Sequence, residues 1–108
     1  MRINYASLST ADGDSSNAAA VGISAGNTNA RIYVTGCTAG FNNSTVGNKV
    51  LTISDGSTAK LKAIVSGDQS YEKTFNPPIE FADSCTASLA ASGVASAVGS
   101  VTLEFFRL

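Results

Sequence analysis

The stretch Lys49-Val50-Leu51-Thr52-Ile53-Ser54-Asp55-Gly56-Ser57-Thr58-Ala59-Lys60-Leu61-Lys62-Ala63-Ile64-Val65-Ser66 decides the fold. On its second arm Leu61, Ala63 and Val65 share one parity while Lys60 and Lys62 take the other. That is the period of two expected of a strand with one buried face. Asp55-Gly56-Ser57 stands between the arms, and Asp-Gly tolerates the positive φ that a tight hairpin turn requires. The segment predicts a β-hairpin of Lys49–Ser54 with Thr58–Ser66.

Working outward, the same grammar repeats. Toward the N-terminus, Ala30–Thr38 carries Ile32, Tyr33, Val34 and Thr35, residues that suit a pleated, half-buried surface. A long Gly/Asn loop, Ala39–Asn48, separates it from the hairpin, with Phe41 as its anchor. Ala18–Ser24 is a small-residue strand closed by Ala25-Gly26-Asn27. Arg2–Leu8 alternates weakly and reads as an edge strand or arm, and Ser9–Asn17 reads as a loop. Toward the C-terminus, Gly67-Asp68 turns the chain into Ser70–Phe75. Asn76-Pro77-Pro78 then predicts a crossing loop, because proline cannot donate to a ladder. Ile79–Phe81, Cys85–Ala90 and Ser96–Arg107 complete the strands. Gly93, Val94 and interleaved Ser and Thr argue against a helix in the alanine-rich 87–97 stretch. The expected architecture is an all-β, jelly-roll-like antiparallel β-sandwich of about eight strands. Residues 1–17 would form an N-terminal strand or arm and loop, and 18–108 the sandwich domain.

Composition narrows the function. Charged residues are only 14% of the 108, well below the share usual in soluble proteins, and Ser, Thr, Asn, Gly and Ala replace them. Small neutral groups cost little to desolvate, so such a surface suits close protein contact. Net charge is -1 and the seven Lys and Arg are scattered, so the concentrated positive field that nucleic acid demands is missing. Residues 1–20 show no apolar core of a signal peptide, and no apolar run reaches membrane-spanning length. The expectation is synthesis in a reducing cytoplasm, with Cys37 and Cys85 as free, buried thiols. By strand parity Cys37 falls with Arg31, Tyr33 and Thr35, whereas Cys85 shares the core-like parity of Ala87 and Leu89.

Histidine is absent, which excludes Ser-His-Asp and Cys-His mechanisms and removes the commonest nitrogen ligand for zinc. Asp12-Gly13-Asp14-Ser15-Ser16-Asn17 opens like a calcium loop, but Ile23 stands where the bidentate glutamate belongs. It reads as a solvated turn. Gly40–Lys49 lacks the GK[ST] of a phosphate cradle. Glu72, Glu80 and Glu104 could supply a glycosidase pair, yet Glu72 and Glu104 alternate with apolar positions as ordinary solvent-facing residues do. Tyr5, Tyr33 and Tyr71 could form a sugar platform, without any tryptophan to support it. No catalytic, cofactor or metal residue is assigned, and the protein is expected not to be an enzyme.

The last strand carries the positive signal. Val101, Leu103 and Phe105 should point into the core, opposite Thr102 and Glu104. Phe106 breaks the pattern with a large ring on the other face, and Leu108 follows it. A strand apolar on both faces is either central in a three-layer structure or covered by another chain, and a domain this small has no third layer to offer. The expectation is that Phe106 and Leu108, with Ile3 and Tyr5 of the first strand, dock against a partner subunit. Phe106→Glu would then leave a folded but dissociated protein.

Ala30-Arg31-Ile32-Tyr33-Val34-Thr35-Gly36-Cys37-Thr38-Ala39-Gly40-Phe41, Leu51-Thr52-Ile53-Ser54-Asp55-Gly56 and Cys85-Thr86-Ala87-Ser88-Leu89-Ala90-Ala91-Ser92-Gly93 together resemble small structural proteins of tailed bacteriophages. The likeness is one of texture and short phrases over most of the chain from Ala18 onward, and it transfers no functional residue. It implies a virion component made in the host cytoplasm, a decoration or cement protein clamping capsomers from outside. The implied partners are further copies of itself, as a trimer or dimer, and a major capsid or other virion protein, with neither nucleic acid nor membrane. A tail, fibre or head–tail connector part and a carbohydrate- or receptor-binding module are the other expectations.

Overall fold

The computed structural model describes residues 7–26 and 29–108. Eight antiparallel strands form two four-stranded sheets. They are β1 (Ser7–Asp12), β2 (Ala19–Ser24), β3 (Ile32–Phe41), β4 (Lys49–Asp55), β5 (Thr58–Val65), β6 (Tyr71–Phe81), β7 (Ser84–Leu89) and β8 (Gly99–Arg107). The first sheet runs β1-β8-β3-β6 and the second β2-β7-β4-β5, the strand order of a jelly roll. The expected all-β sandwich is the observed fold.

The predicted hairpin is β4–β5. Gly56 takes φ of 57° at the first position of its two-residue turn, closed by the Asp55↔Thr58 pair. Between the sheets lies one core, to which both contribute through alternate residues. Ile32, Val34, Leu103 and Val101 come from the first sheet, and Leu51, Ile53, Ala87 and Leu89 from the second. All eight are fully buried, so the period of two converts directly into one apolar layer.

Four sequence expectations change. Asn76-Pro77-Pro78 is not a crossing loop, because β6 continues through it with a cis Asn76–Pro77 bond. β6 is an edge strand, where a missing N–H leaves no neighbour unpaired, and its pairing with β3 skips from Ile79 to Thr74. Cys37 is not on the outer parity. Against β8, Val34 pairs with Phe105 but Gly36 with Glu104, leaving Thr35 as one extra residue. This bulge reverses the parity of β3, so Cys37 and Ala39 follow Ile32 and Val34 into the core. The strand also runs on to Phe41, whose ring lies against Gly99 and packs on the core as the expected anchor. Finally, the loop expected from Ser9 begins only at residue 13. β1, which falls inside the segment set apart as arm and loop, pairs with β8 over its whole length. Ile3 and Tyr5 lie outside the described residues.

Connections β1–β2, β3–β4, β5–β6 and β7–β8 share one end of the sandwich, and β2–β3, β4–β5 and β6–β7 the other.

Candidate interaction surfaces

The two sheets turn different chemistry outward. On the first, β3 and β8 bring Tyr33 directly opposite Phe106, and their rings stack 5.2 Å apart at 13°. Such a pair adds about 0.5–1.5 kcal/mol beyond its buried area. Both rings are half-buried, because each covers one face of the other. Tyr33 Oη also reaches Glu80 Oε1 at 3.5 Å, and Arg31 Nε lies 3.6 Å from the same oxygen. Leu108 extends this strip. Its backbone exchanges both hydrogen bonds with Arg31, at 2.7 and 3.0 Å, while its side chain remains 52% exposed. Leu8, opposite Glu104 on β1, is 71% exposed.

The structure therefore brings Phe106 and Leu108 to one face, as parity predicted, and adds Tyr33 and Leu8, which the sequence reading did not place there. On the other side of β8, Val101, Leu103 and Phe105 are buried as expected. Tyr71 separates from Tyr33: it packs against the core, and desolvation, with a smaller contribution from Cys37, pushes its hydroxyl up from the usual tyrosine value. A shared tyrosine platform is absent among the described residues.

Beside the aromatic pair, the bulge leaves a hollow of about 180 Å³ above Gly36, edged by Leu8, Thr38, Glu72, Thr102 and Glu104. The missing side chain at Gly36 makes the floor. Glu104 is tied down by Thr35 Oγ1, which donates to its Oε1 at 2.7 Å and lies 3.2 Å from its backbone oxygen. Glu72 and Glu104 are exposed, and Glu80 stands apart with Arg31. Among the described residues no group of His, Cys, Asp or Glu is arranged to hold a metal ion.

The second sheet presents small uncharged groups: Ala20, Gly22 and Ser24 on β2, Thr86 and Ser88 on β7, and Thr52 on β4. Val50 and Ile64, paired across β4 and β5, form its one apolar spot among the described residues, and Lys62 beside them is exposed.

Two further sequence candidates resolve into structural roles. Asp14 Oδ1 accepts from the Ser16 and Asn17 amides at 2.9 and 2.8 Å, and Asn17 Nδ2 contacts both carboxylate oxygens at 3.0 Å. The Asn17 side chain, then the two amides, hold its pKa below the usual aspartate value, so the carboxylate serves its own turn. Cys37 and Cys85 are free and buried, one from each sheet. Desolvation pushes Cys37 up to about 11 and Cys85 up to about 12, so both stay protonated and unreactive at neutral pH.

Compared with known proteins, the sequence matches no family model and no curated protein.

Proposed function

We propose that this protein is a non-enzymatic coat component that seats on the shell of a phage particle through the outer face of its first sheet. The observation that carries the reading is the Tyr33–Phe106 stack, flanked by exposed Leu8 and Leu108. It is an aromatic pair with apolar flanks on a sheet already packed on its other side. Aromatic anchors on a stiff scaffold lose little entropy on docking, and repetition over a shell adds modest affinities through avidity. A surface poor in charge fits the same use, since few ions need to be stripped of water when it is covered. A sugar-binding module is less well supported, because the stacked rings occupy faces that a sugar would need.

The experiment is co-sedimentation with undecorated shells, followed by image reconstruction. Bound copies should meet the shell through Tyr33, Phe106 and Leu108. Phe106→Glu should abolish binding without changing the far-ultraviolet spectrum. Failure to bind, or unaltered binding by that variant, defeats the reading.

A further inference from the structure

Among the described residues, the four sheet edges are not equally guarded. β5 carries Lys60 and Lys62, β6 carries Pro77 and Pro78, and β1 ends on Asp12, all devices that discourage strand addition. β2, Ala-Ala-Val-Gly-Ile-Ser, has no charge, no proline and no register break. Its hydrogen-bond phase is fixed by the Ala25 N–H, which donates to Asp83 O at 3.1 Å one step beyond the Ser24↔Ser84 pair. Bonded and non-bonded pairs alternate in an antiparallel ladder. Ala19, Val21 and Ile23 therefore bond β7, and the N–H and C=O groups of Ala20, Gly22 and Ser24 point to the open edge. Arg107 Nε approaches from that side and donates to Ser24 O at 2.9 Å.

Gly22, at the middle of this edge, has no internal reason to be glycine. It is not among the positive-φ residues, and a Cβ built there meets nothing within 4 Å. A mid-strand glycine weakens a strand, and it commonly marks the close approach of another backbone.

We propose that two copies of this chain join through β2, antiparallel about a two-fold axis at Gly22, so that the second sheet runs on from one subunit into the other. This register sets Gly22 against Gly22 of the partner subunit and Ala20 against Ser24 of the partner subunit. Every outward N–H of the strand then faces a carbonyl, the Ser24 carbonyl accepting from Arg107 as well as from the incoming strand, and Val21 and Ile23 remain on the core sides. Charge favours a second copy over an arbitrary extended peptide. Arg107 sits at the Ser24 end, while Gly13 lies against the other end, where an added Cβ would come 2.6 Å from the Ala19 nitrogen. Asp12 and Asp14 flank Gly13. Antiparallel pairing lays the cationic end of each copy beside the anionic end of the other. The interface is separate from the Phe106 face, so both can be occupied together.

The test is sedimentation and light scattering of the full chain, with hydrogen exchange read residue by residue. The expected mass is twice the 10.9 kDa chain. Gly22→Lys puts like charges opposite each other at the axis and should halve that mass with the spectrum unchanged, since the fold leaves room for the side chain. The Ala20 and Ser24 amides should exchange at least tenfold more slowly in the unmodified protein than in this variant. Phe106→Glu should leave the dimer intact, in place of the dissociation expected from the sequence alone, which separates this outcome from that of shell binding. A single-chain mass at every concentration, any mass insensitive to Gly22→Lys, or edge amides in the unmodified chain exchanging as freely as loop amides overturns the proposal.

Discussion

The two ends of the sandwich are closed by different means. At the end holding the β1–β2, β3–β4, β5–β6 and β7–β8 connections, backbone bonds backbone from loop to loop. Gly13 donates to Gly99 O, Ser92 to Asp14 O, Gly93 to Ser15 O, Asn42 to Val98 O and Gly67 to Val46 O, at 2.8–3.1 Å. Ser92, the one buried polar side chain among the described residues, completes this end through Ala97 O and Val94 O at 3.0 and 3.2 Å. At the other end charged side chains do more of the closing. Asp55 Oδ2 accepts from the Ala82 amide at 2.9 Å, Lys60 Nζ donates to Glu80 O at 2.6 Å, and Arg107 reaches Ser24 O. Outside the turn that Asp14 holds, the first end should therefore answer to shape, and the second to pH and salt.

The largest expected effect ignores this division. Cys37 and Cys85 lie in the shared core, and both ionise in the unfolded chain near the ordinary value of 9.0. Below that pH neither contributes to any pH dependence. Above it the unfolded state loses protons first, so stability falls by about 1.4 kcal/mol per pH unit for each thiol. The fall ends as the folded groups ionise at about 11 and about 12. Denaturant titration from pH 8 to 11 should show the loss, and amides at both ends should open together. Gly67→Ala comes next, because a Cβ there would overlap the Asn43 carbonyl oxygen and the Ser44 backbone. A cost of about 3 kcal/mol is expected, against little for Gly47→Ala, whose Cβ meets nothing. Ser92→Ala should cost about 2 kcal/mol by leaving the Ala97 carbonyl short of its donor, with exchange rising only in the loops of that end.

The charged end supplies the smaller effects. Asp55→Ala should cost about 1 kcal/mol at neutral pH, discounted because the carboxylate is near solvent. The Ala82 amide, ahead of weaker contributions, holds the Asp55 pKa below 3.8. Its contribution is thus full above that value and fades as pH falls through the depressed one, so wild type and variant should converge in strong acid. Arg31→Ala should cost about 0.5 kcal/mol at low salt, and nothing measurable at high salt. Equal sensitivity of both ends to acid would break the comparison.

Where the chain is regular, its parity was readable. Asp55-Gly56 and the alternation of Leu61, Ala63 and Val65 fixed a hairpin from a few residues, because every interaction involved is local. The misreading of Cys37 came from Thr35, whose extra place in the ladder shows only against the opposing Glu104. Pro77-Pro78 read as a loop because only strand order tells an edge from a centre. Phe106 was placed outward correctly by parity, yet its cover by Tyr33 depends on the register between two strands far apart in the chain. The open β2 edge was beyond reach for the same reason: it is a property of which strand ends a sheet.

That strand order has a consequence for how the molecule comes into being. Every ladder in both sheets joins one of β1–β4 to one of β5–β8. Among the described residues, no two strands of the first half pair with each other, so as that half leaves the ribosome it has no ladder of its own to form. Only the β4–β5 ladder is local, and all others must wait for late-made partners, a topology that folds slowly. A chain severed at Gly56 would yield two fragments, each shapeless alone, that can regain order only by interleaving with the other.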